Sequence, residues 1–459
     1  MMERLVAPYR ILMGWTGTAC AAICVLAILA CRGDSGSATA WDGAVRDSAG
    51  IEIVENFGTP LWPEGPDWEF TEVFRIGAAD GPPEYQFGRI TGLQVLSDGR
   101  IVITDMMGHH MRFFSPDGVH ERTVGREGQG PGEFGDGRLT LFLGPGDTLV
   151  VYDPANSRAN AIAPDGTWLE SFSTLPRDGY RLSYWANNPR TGRITTLHNP
   201  LRQSDGTLTD TLDIVLERDV HGAILDTLAR LPSYLTFFRG GPDTFRFYYG
   251  PVWWHRPWGD GLLLSRTDQY RFLWHGPDGA LSRIVSLARE PLAITEEDRS
   301  VIMGRWDATL RENGVRAERA AEILSGIRFG NNYPPFGGFS HGPAGTFIVQ
   351  RVWPVRDLDA EEQKEIRPSL LVPPGSSEWD VFDREGRYLG TVAIPETEWI
   401  GTPSFLFLRF FRDRATGTWY MYTIWSDELD VDYVVRWRID GRMPDDPEAV
   451  SPETNPAAP

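Results

Sequence analysis

The stretch Gly99-Arg-Ile-Val-Ile-Thr-Asp105, followed by Arg112-Phe-Phe-Ser-Pro-Asp-Gly118, returns 48 residues later as Asp147-Thr-Leu-Val-Val-Tyr-Asp153 and Ala161-Ile-Ala-Pro-Asp-Gly166. Asp105 falls on Asp153 and Gly118 on Gly166. Short apolar strands punctuated by tight turns, repeating every ~40–50 residues, are the mark of a β-propeller. Each unit reads as four strands. In the first, Gly92–Ser97 is innermost, Ile101–Thr104 second, Met111–Ser115 third and His120–Gly125 outermost. Asp98-Gly99 and Pro116-Asp-Gly118 make the hairpins, because Gly accepts φ > 0 and Pro presets its own φ.

Matching turn glycines stand at Gly222, Gly279, Gly386 and Gly441, which makes six units and a six-bladed ring. The 107 residues between Gly279 and Gly386 hold a blade and an insertion. Closure has its own signal: Phe74-Arg-Ile-Gly77 lies 48 residues before Arg122-Thr-Val-Gly125 and has no blade of its own. Such a strand completes the last blade and removes two open sheet edges.

Asp153-Pro-Ala-Asn156-Ser-Arg158 and Gly125-Arg-Glu-Gly-Gln-Gly-Pro-Gly-Glu-Phe134 resemble the NHL-repeat propellers, which carry Asp-x-x-Asn-x-Arg and a Gly-x-Gly-Pro-Gly-x-Phe connection. Blade one departs from this pattern, with Gly108 at the Asn position and His110 at the Arg position. The resemblance covers residues 70–175, and the whole chain is similar to bacterial six-bladed propeller lipoproteins related to that family. It implies that Asp105, Asp153, Asn156 and Arg158 tie strand ends together. The fold class is therefore all-β, an NHL-like six-bladed propeller. The architecture hosts binding modules, lactonases and lyases alike and does not choose among them.

Arg4 and Arg10 precede an uncharged apolar run, Ile11–Ala30, which ends in Ile28-Leu-Ala-Cys31. This looks like a bacterial lipobox, in which Cys31 receives lipid and residues 1–30 are a removed signal peptide. Residues 31–47 read as a flexible Gly/Ser/Ala tether. Residues 48–442 form the ring, with a helical insertion at about 291–334 between blades four and five, and 443–459 a disordered Pro-rich tail. The expected address is extracytoplasmic, lipid-anchored to the cell envelope through Cys31. Arg32 after the lipobox favours the outer membrane of a two-membrane bacterium. Cys20, Cys24 and Cys31 are the only cysteines, so the ring holds no disulfide and no thiolate site.

A formal net charge of −19 repels phosphate backbones and excludes nucleic acid as a partner. With 17 Trp, 23 Phe and 14 Tyr the chain is aromatic-rich, and most of these rings fill the wedges between blades. The cluster Tyr248-Tyr-Gly-Pro-Val-Trp253-Trp254-His-Arg-Pro-Trp258 exceeds that need and offers a stacking surface for a sugar or a peptide.

Connections from second to third strand, and from blade to blade, emerge on one face of a propeller. The long segments here belong to that set: Leu197–Asp213 in blade three, Arg351–Glu378 in blade five, and Glu290–Pro335 between blades four and five. The last is helical. Thr295-Glu-Glu-Asp298 starts it, Ile302, Trp306 and Leu310 recur at helical spacing, and a second amphipathic segment runs through Ala320, Ile323, Leu324 and Ile327. Long structured inserts are functional or lid-like. On that face the candidate ligand-binding residues are His109, His198, Trp253, Trp254, His255, Trp258 and His341, with His255 and His341 as candidate metal ligands. No catalytic residue is assigned, since nucleophile elbows, phosphate loops and dinucleotide fingerprints are absent from the sequence. The first reading is a binder of a glycan, peptide or envelope protein, which requires no cofactor. The alternative is a metal-assisted lactonase or lyase, with zinc or calcium over the channel.

Overall fold

The computed structural model describes residues 41–444, apart from 63–67, 175–178, 188–192, 202, 204–208, 234–245, 251, 369–371 and 399–407. The signal segment, the lipobox at Cys31 and most of the C-terminal tail lie outside the described residues. Among the described residues six blades of four antiparallel strands stand around a ring, one of them extended to six strands, beside a two-stranded parallel sheet of Arg246–Tyr248 and Ile327–Phe329. Blade one comprises Ile90–Val95, Ile101–Asp105, His110–Phe114 and His120–Val124. Blade two has Thr140–Leu143, Leu149–Asp153, Arg158–Ile162 and Trp168–Ser173, and blade three has Tyr180–Asn187, Ile194–Pro200, Leu212–Arg218 and Ile224–Pro232. Blade four uses Trp253–Trp258, Gly261–Arg266, Arg271–His275 and Leu281–Leu287, and blade five Gly338–His341, Phe347–Val352, Gly375–Phe382 and Tyr388–Ala393. Blade six takes Arg409–Arg412, Trp419–Ser426 and Asp432–Asp440 from the C-terminal end and Glu69–Ile76 from the N-terminal end. Val434 pairs with Ile76 in that closure, as the 48-residue offset predicts.

The turn glycines are selected twice over. Gly166 sits at φ +87° and Gly222 at φ +81°, where L side chains are strained. A Cβ on Gly166 would also stand 2.7 Å from Val124, and one on Gly222 2.3 Å from Phe172, each on the outer strand of the preceding blade. The outer turn of one blade thus packs onto its neighbour, which couples the turn code to the ring. The Asp, Asn and Arg of blade two act as ties, as the resemblance implies. Asp153 accepts from the Gly135 amide (3.1 Å) and from the Asn156 side chain (2.7 Å). Arg158 donates to the carbonyls of Gln129 (2.6 Å), Gly130 (2.9 Å) and Glu133 (2.7 Å). In blade one Arg112 makes the equivalent reach, to the Gln86 carbonyl at 2.7 Å.

One boundary moves. The tether was expected to run to residue 47, but Gly43–Ser48 is already a strand, paired with Ile51–Asn56. That hairpin adds two strands to blade four, Ile51–Asn56 lying parallel to Leu281–Leu287. The chain then follows the rim: Leu61 and Trp62 donate to the carbonyls of Tyr388 and Leu389 in blade five, both at 3.0 Å, and Trp68 is buried between blades five and six. Residues 43–62 and 68–76 therefore run over the outer edges of three blades. Ala40–Pro459 is one compact unit, and the ring closures described here are internal to it.

The insertion builds a second core. Helix α1 (Glu296–Glu312) opens with the expected capping box, the Asp298 carboxylate accepting from the Thr295 amide at 2.8 Å. Helix α2 is Ala317–Ser325. Ile302, Trp306 and Leu310 bury one face of α1 against Tyr248, Tyr249, Val355, Leu358 and Ile366. The insertions of blades four and five thus merge into one cap. Among the described residues no helix is long and apolar enough to cross a membrane.

Candidate functional site

The predicted site residues do not converge. His109, at φ +52°, holds its Nδ1 3.1 Å from the Gly135 carbonyl. His198 lies in the second strand of blade three with Nε2 3.0 Å from Thr196 Oγ1, and burial, assisted by Arg218, lowers its pKa to about 4. His255 is 2% exposed and bonds the Thr195 backbone, and burial, then Arg256, lowers its pKa to about 3. His341 is lowered to about 4 by burial, then by Arg409 and Arg256. Trp253 donates to the Pro232 carbonyl at 3.2 Å, and Trp254 packs against two of the core clusters.

The expected aromatic platform is not formed. Trp258 is a core residue, 7% exposed and edge-on to Phe347, while Tyr248 and Tyr249 are consumed by the cap. Trp258 turns inward at the end of its strand, where the wedge between sheets needs volume, whereas Tyr248 and Tyr249 precede that strand. Nor do His255 and His341 form a metal centre. Among the described residues no three His, Cys, Asp or Glu side chains gather to hold an ion, and the arginine charges that act on both histidines repel a cation.

The structure instead brings together residues that flank the insertions. Arg289 stands just before the Glu290–Pro335 insertion, and Arg351 opens that of blade five. Both reach Asp380, which is fully buried in the third strand of blade five. Arg289 contacts it through two nitrogens at 2.8 and 2.9 Å, and Arg351 through two at 3.1 and 2.9 Å. Tyr270 (2.7 Å) and Tyr388 (3.2 Å) donate to the same carboxylate. Burial pushes the Asp380 carboxyl up, but the Arg289 and Arg351 charges outweigh it and hold the pKa below the usual range. Burial, then Asp380, raises the Tyr270 hydroxyl well above its ordinary value.

This hub forms the ring-side wall of a cleft of about 580 Å³. Asp268, Tyr270, Arg289 and Arg351 line it from the ring, and Glu290, Pro291, Leu292, Asn332, Pro334 and Pro335 from the start and end of the cap insertion. Arg289 and Arg351 keep 26% and 29% of their side chains exposed, so the guanidiniums are held in place yet accessible. Planar donors, carboxylates and an amide surround a proline-rich apolar floor. Among the described residues of the lining the ionisable groups are Asp268, Tyr270, Arg289, Glu290, Tyr333 and Arg351. Asp380 had a signal in the sequence, a carboxylate between Trp379 and Val381 in an apolar strand. Its two arginine partners had none.

No family model matches the chain, and neither does any curated protein. Solved structures of similar shape include an exported protein of Bacteroides fragilis, with 12% identity, TM-score 0.46, and coverage of 84% of this chain and 99% of that one. A member of the DUF4221 family from Bacteroides vulgatus has 10% identity, TM-score 0.49, and coverage of 82% and 100%. Virginiamycin B lyase from Staphylococcus aureus has 10% identity, TM-score 0.36, and coverage of 80% and 99%. At these identities and TM-scores the likeness carries no function to this chain, and the six-bladed ring is read from its own sheets.

Proposed function

We propose that this chain is an extracytoplasmic, membrane-tethered propeller that binds a polar envelope ligand in the cleft between ring and cap. The observation that carries the reading is the pair Arg289 and Arg351, clamped by buried Asp380 at the wall of the cleft. A site fixed before the ligand arrives loses little ordering entropy on binding. Guanidinium, carboxylate and amide groups over an apolar floor suit a hydroxyl-rich ligand, so a glycan ranks ahead of a peptide or a protein segment. The apolar run before Cys31 supports the address.

The test is calorimetric titration of the full chain in mild detergent with cell-envelope oligosaccharides and peptides, beside Asn332→Trp. Asn332 is exposed at the cleft, so the indole obstructs it without entering the core. A glycan that binds the parent and loses at least tenfold in affinity with Asn332→Trp supports the reading. A ligand bound equally by both places the site elsewhere, and a panel with no binder overturns it.

A further inference from the structure

The polar groups of the cleft divide into those spent inside the protein and those left for a ligand. The Tyr270 hydroxyl is spent on Asp380 (2.7 Å), and that of Tyr333 on Asp298 (2.9 Å). Asp268 is held through both oxygens by the Arg266 guanidinium. Arg351 engages every nitrogen of its guanidinium. Its Nε reaches Asp380 at 3.1 Å and its Nη1 reaches Glu378 at 2.8 Å, while Nη2 reaches Asp380 at 2.9 Å and Thr391 Oγ1 at 2.6 Å. Arg351 is therefore a strut of the wall.

Arg289 is bound differently. It meets Asp380 end-on, Nη1 to Oδ2 at 2.8 Å and Nη2 to Oδ1 at 2.9 Å. Among the described residues its Nε makes no hydrogen bond, so the Nε–Nη2 edge keeps a pair of parallel donors. Asp380 fixes the guanidinium at its end, and the Tyr270 ring, 5.2 Å from Cζ, supports its face. With 26% of the side chain exposed at the cleft, the edge is held in orientation and open to a ligand. Two other lining groups, the Glu290 carboxylate and the Asn332 amide, are exposed and have no side-chain partner among the described residues. Glu290 stands in water, where its charge is screened, whereas the half-buried guanidinium acts in a medium of lower dielectric. Of the two, Arg289 decides the charge of a bound group.

A planar edge of two fixed donors selects a planar group with two acceptors, which is a carboxylate. One such edge beside Glu290 favours a monoanion over a dianionic phosphate. We infer that the ligand of the cleft carries a carboxylate seated on the Nε–Nη2 edge of Arg289, which among glycans means a chain containing a uronate. This rests on the cleft being the binding site and names what it selects: Arg351 and Asp380 hold the wall, and Arg289 reads the acid.

The full chain in mild detergent is titrated calorimetrically with oligogalacturonate, oligoglucuronate and oligomannuronate, each beside the same sugar chain methyl-esterified. The ester keeps the sugar and removes the charge. At least one acid is expected to bind about tenfold tighter than its ester, and to be lost with Asn332→Trp. Arg289→Lys keeps a cation beside Asp380 but has no planar edge, and is expected to lose the preference for the acid. Glu290→Gln removes a negative charge at the mouth and is expected to bind the acid about two- to threefold tighter and the ester unchanged, which keeps the test open should Arg289→Lys lose its melting transition. An ester bound as tightly as its acid, an acid preference unchanged in folded Arg289→Lys, or weaker acid binding by Glu290→Gln overturns the inference. If other envelope oligosaccharides bind in the cleft and no uronate does, the inference falls and the cleft remains the site. If nothing binds there, both fall.

Discussion

Asp380 carries more hydrogen bonds than any local reading of its strand would assign to it, and its replacement separates structure from recognition. Asp380→Asn keeps the shape but leaves Arg289 and Arg351 facing one another without the shared charge. Removing one partner from a buried ionic network costs about 3–5 kcal/mol, and that loss is expected in denaturant unfolding, together with loss of cleft binding. The depressed histidines predict a pH dependence of definite sign. His255 titrates near 3 in the folded chain against ~6.5 unfolded, so between those values the unfolded state holds the extra proton. Stability is therefore full above about pH 6.5 and falls as pH drops towards 3, by about 1.4 kcal/mol per unit for one such group. Unfolding midpoints at pH 7 and 4.5 measure this, and His255→Gln is expected to flatten the fall. An equal fall in that variant would assign it to other groups. None of these roles is visible in a residue list, because a histidine in a loop and one sealed between blades look the same in sequence.

At the level of elements, the outer turns and the N-terminal belt hold the ring. Gly166→Ala forces an L residue to φ +87° and drives a methyl group towards Val124, so a loss of about 2 kcal/mol in stability is expected by chemical denaturation. The belt is tested by two truncations followed by thermal circular dichroism. A chain starting at residue 63 loses the blade-four hairpin but keeps the closing strand, and is expected to melt cooperatively at a lower temperature. A chain starting at residue 78 lacks the fourth strand of blade six and is expected to lose the cooperative transition and aggregate through its open edge. The closing strand was legible because it repeats a pattern found 48 residues later. The hairpin on blade four was not, since Glu52 pairs with Arg283 across 231 residues and nothing local marks that edge as its partner.

At the scale of the whole molecule, a closed ring carries one capped sector, with a cleft between cap and ring. Lipidation is tested in the cell: the parent is expected to incorporate labelled fatty acid into the membrane fraction, and Cys31→Ser to incorporate none. A parent found in the membrane fraction without label would reassign the anchor to the apolar run itself. By itself the sequence determined the blade repeat, the closing strand, the helical insertion with its capping box, and the structural ties at Asp153, Asn156 and Arg158. Each of these depends on turn chemistry and periodicity within about one repeat, where backbone geometry is set by neighbours. Only the tertiary structure decided which side chains meet. Arg289 and Arg351 reach Asp380 across 91 and 29 residues. Such meetings follow from register and from the twist of each blade summed around the ring, and a small angular change in either moves them by the width of a side chain.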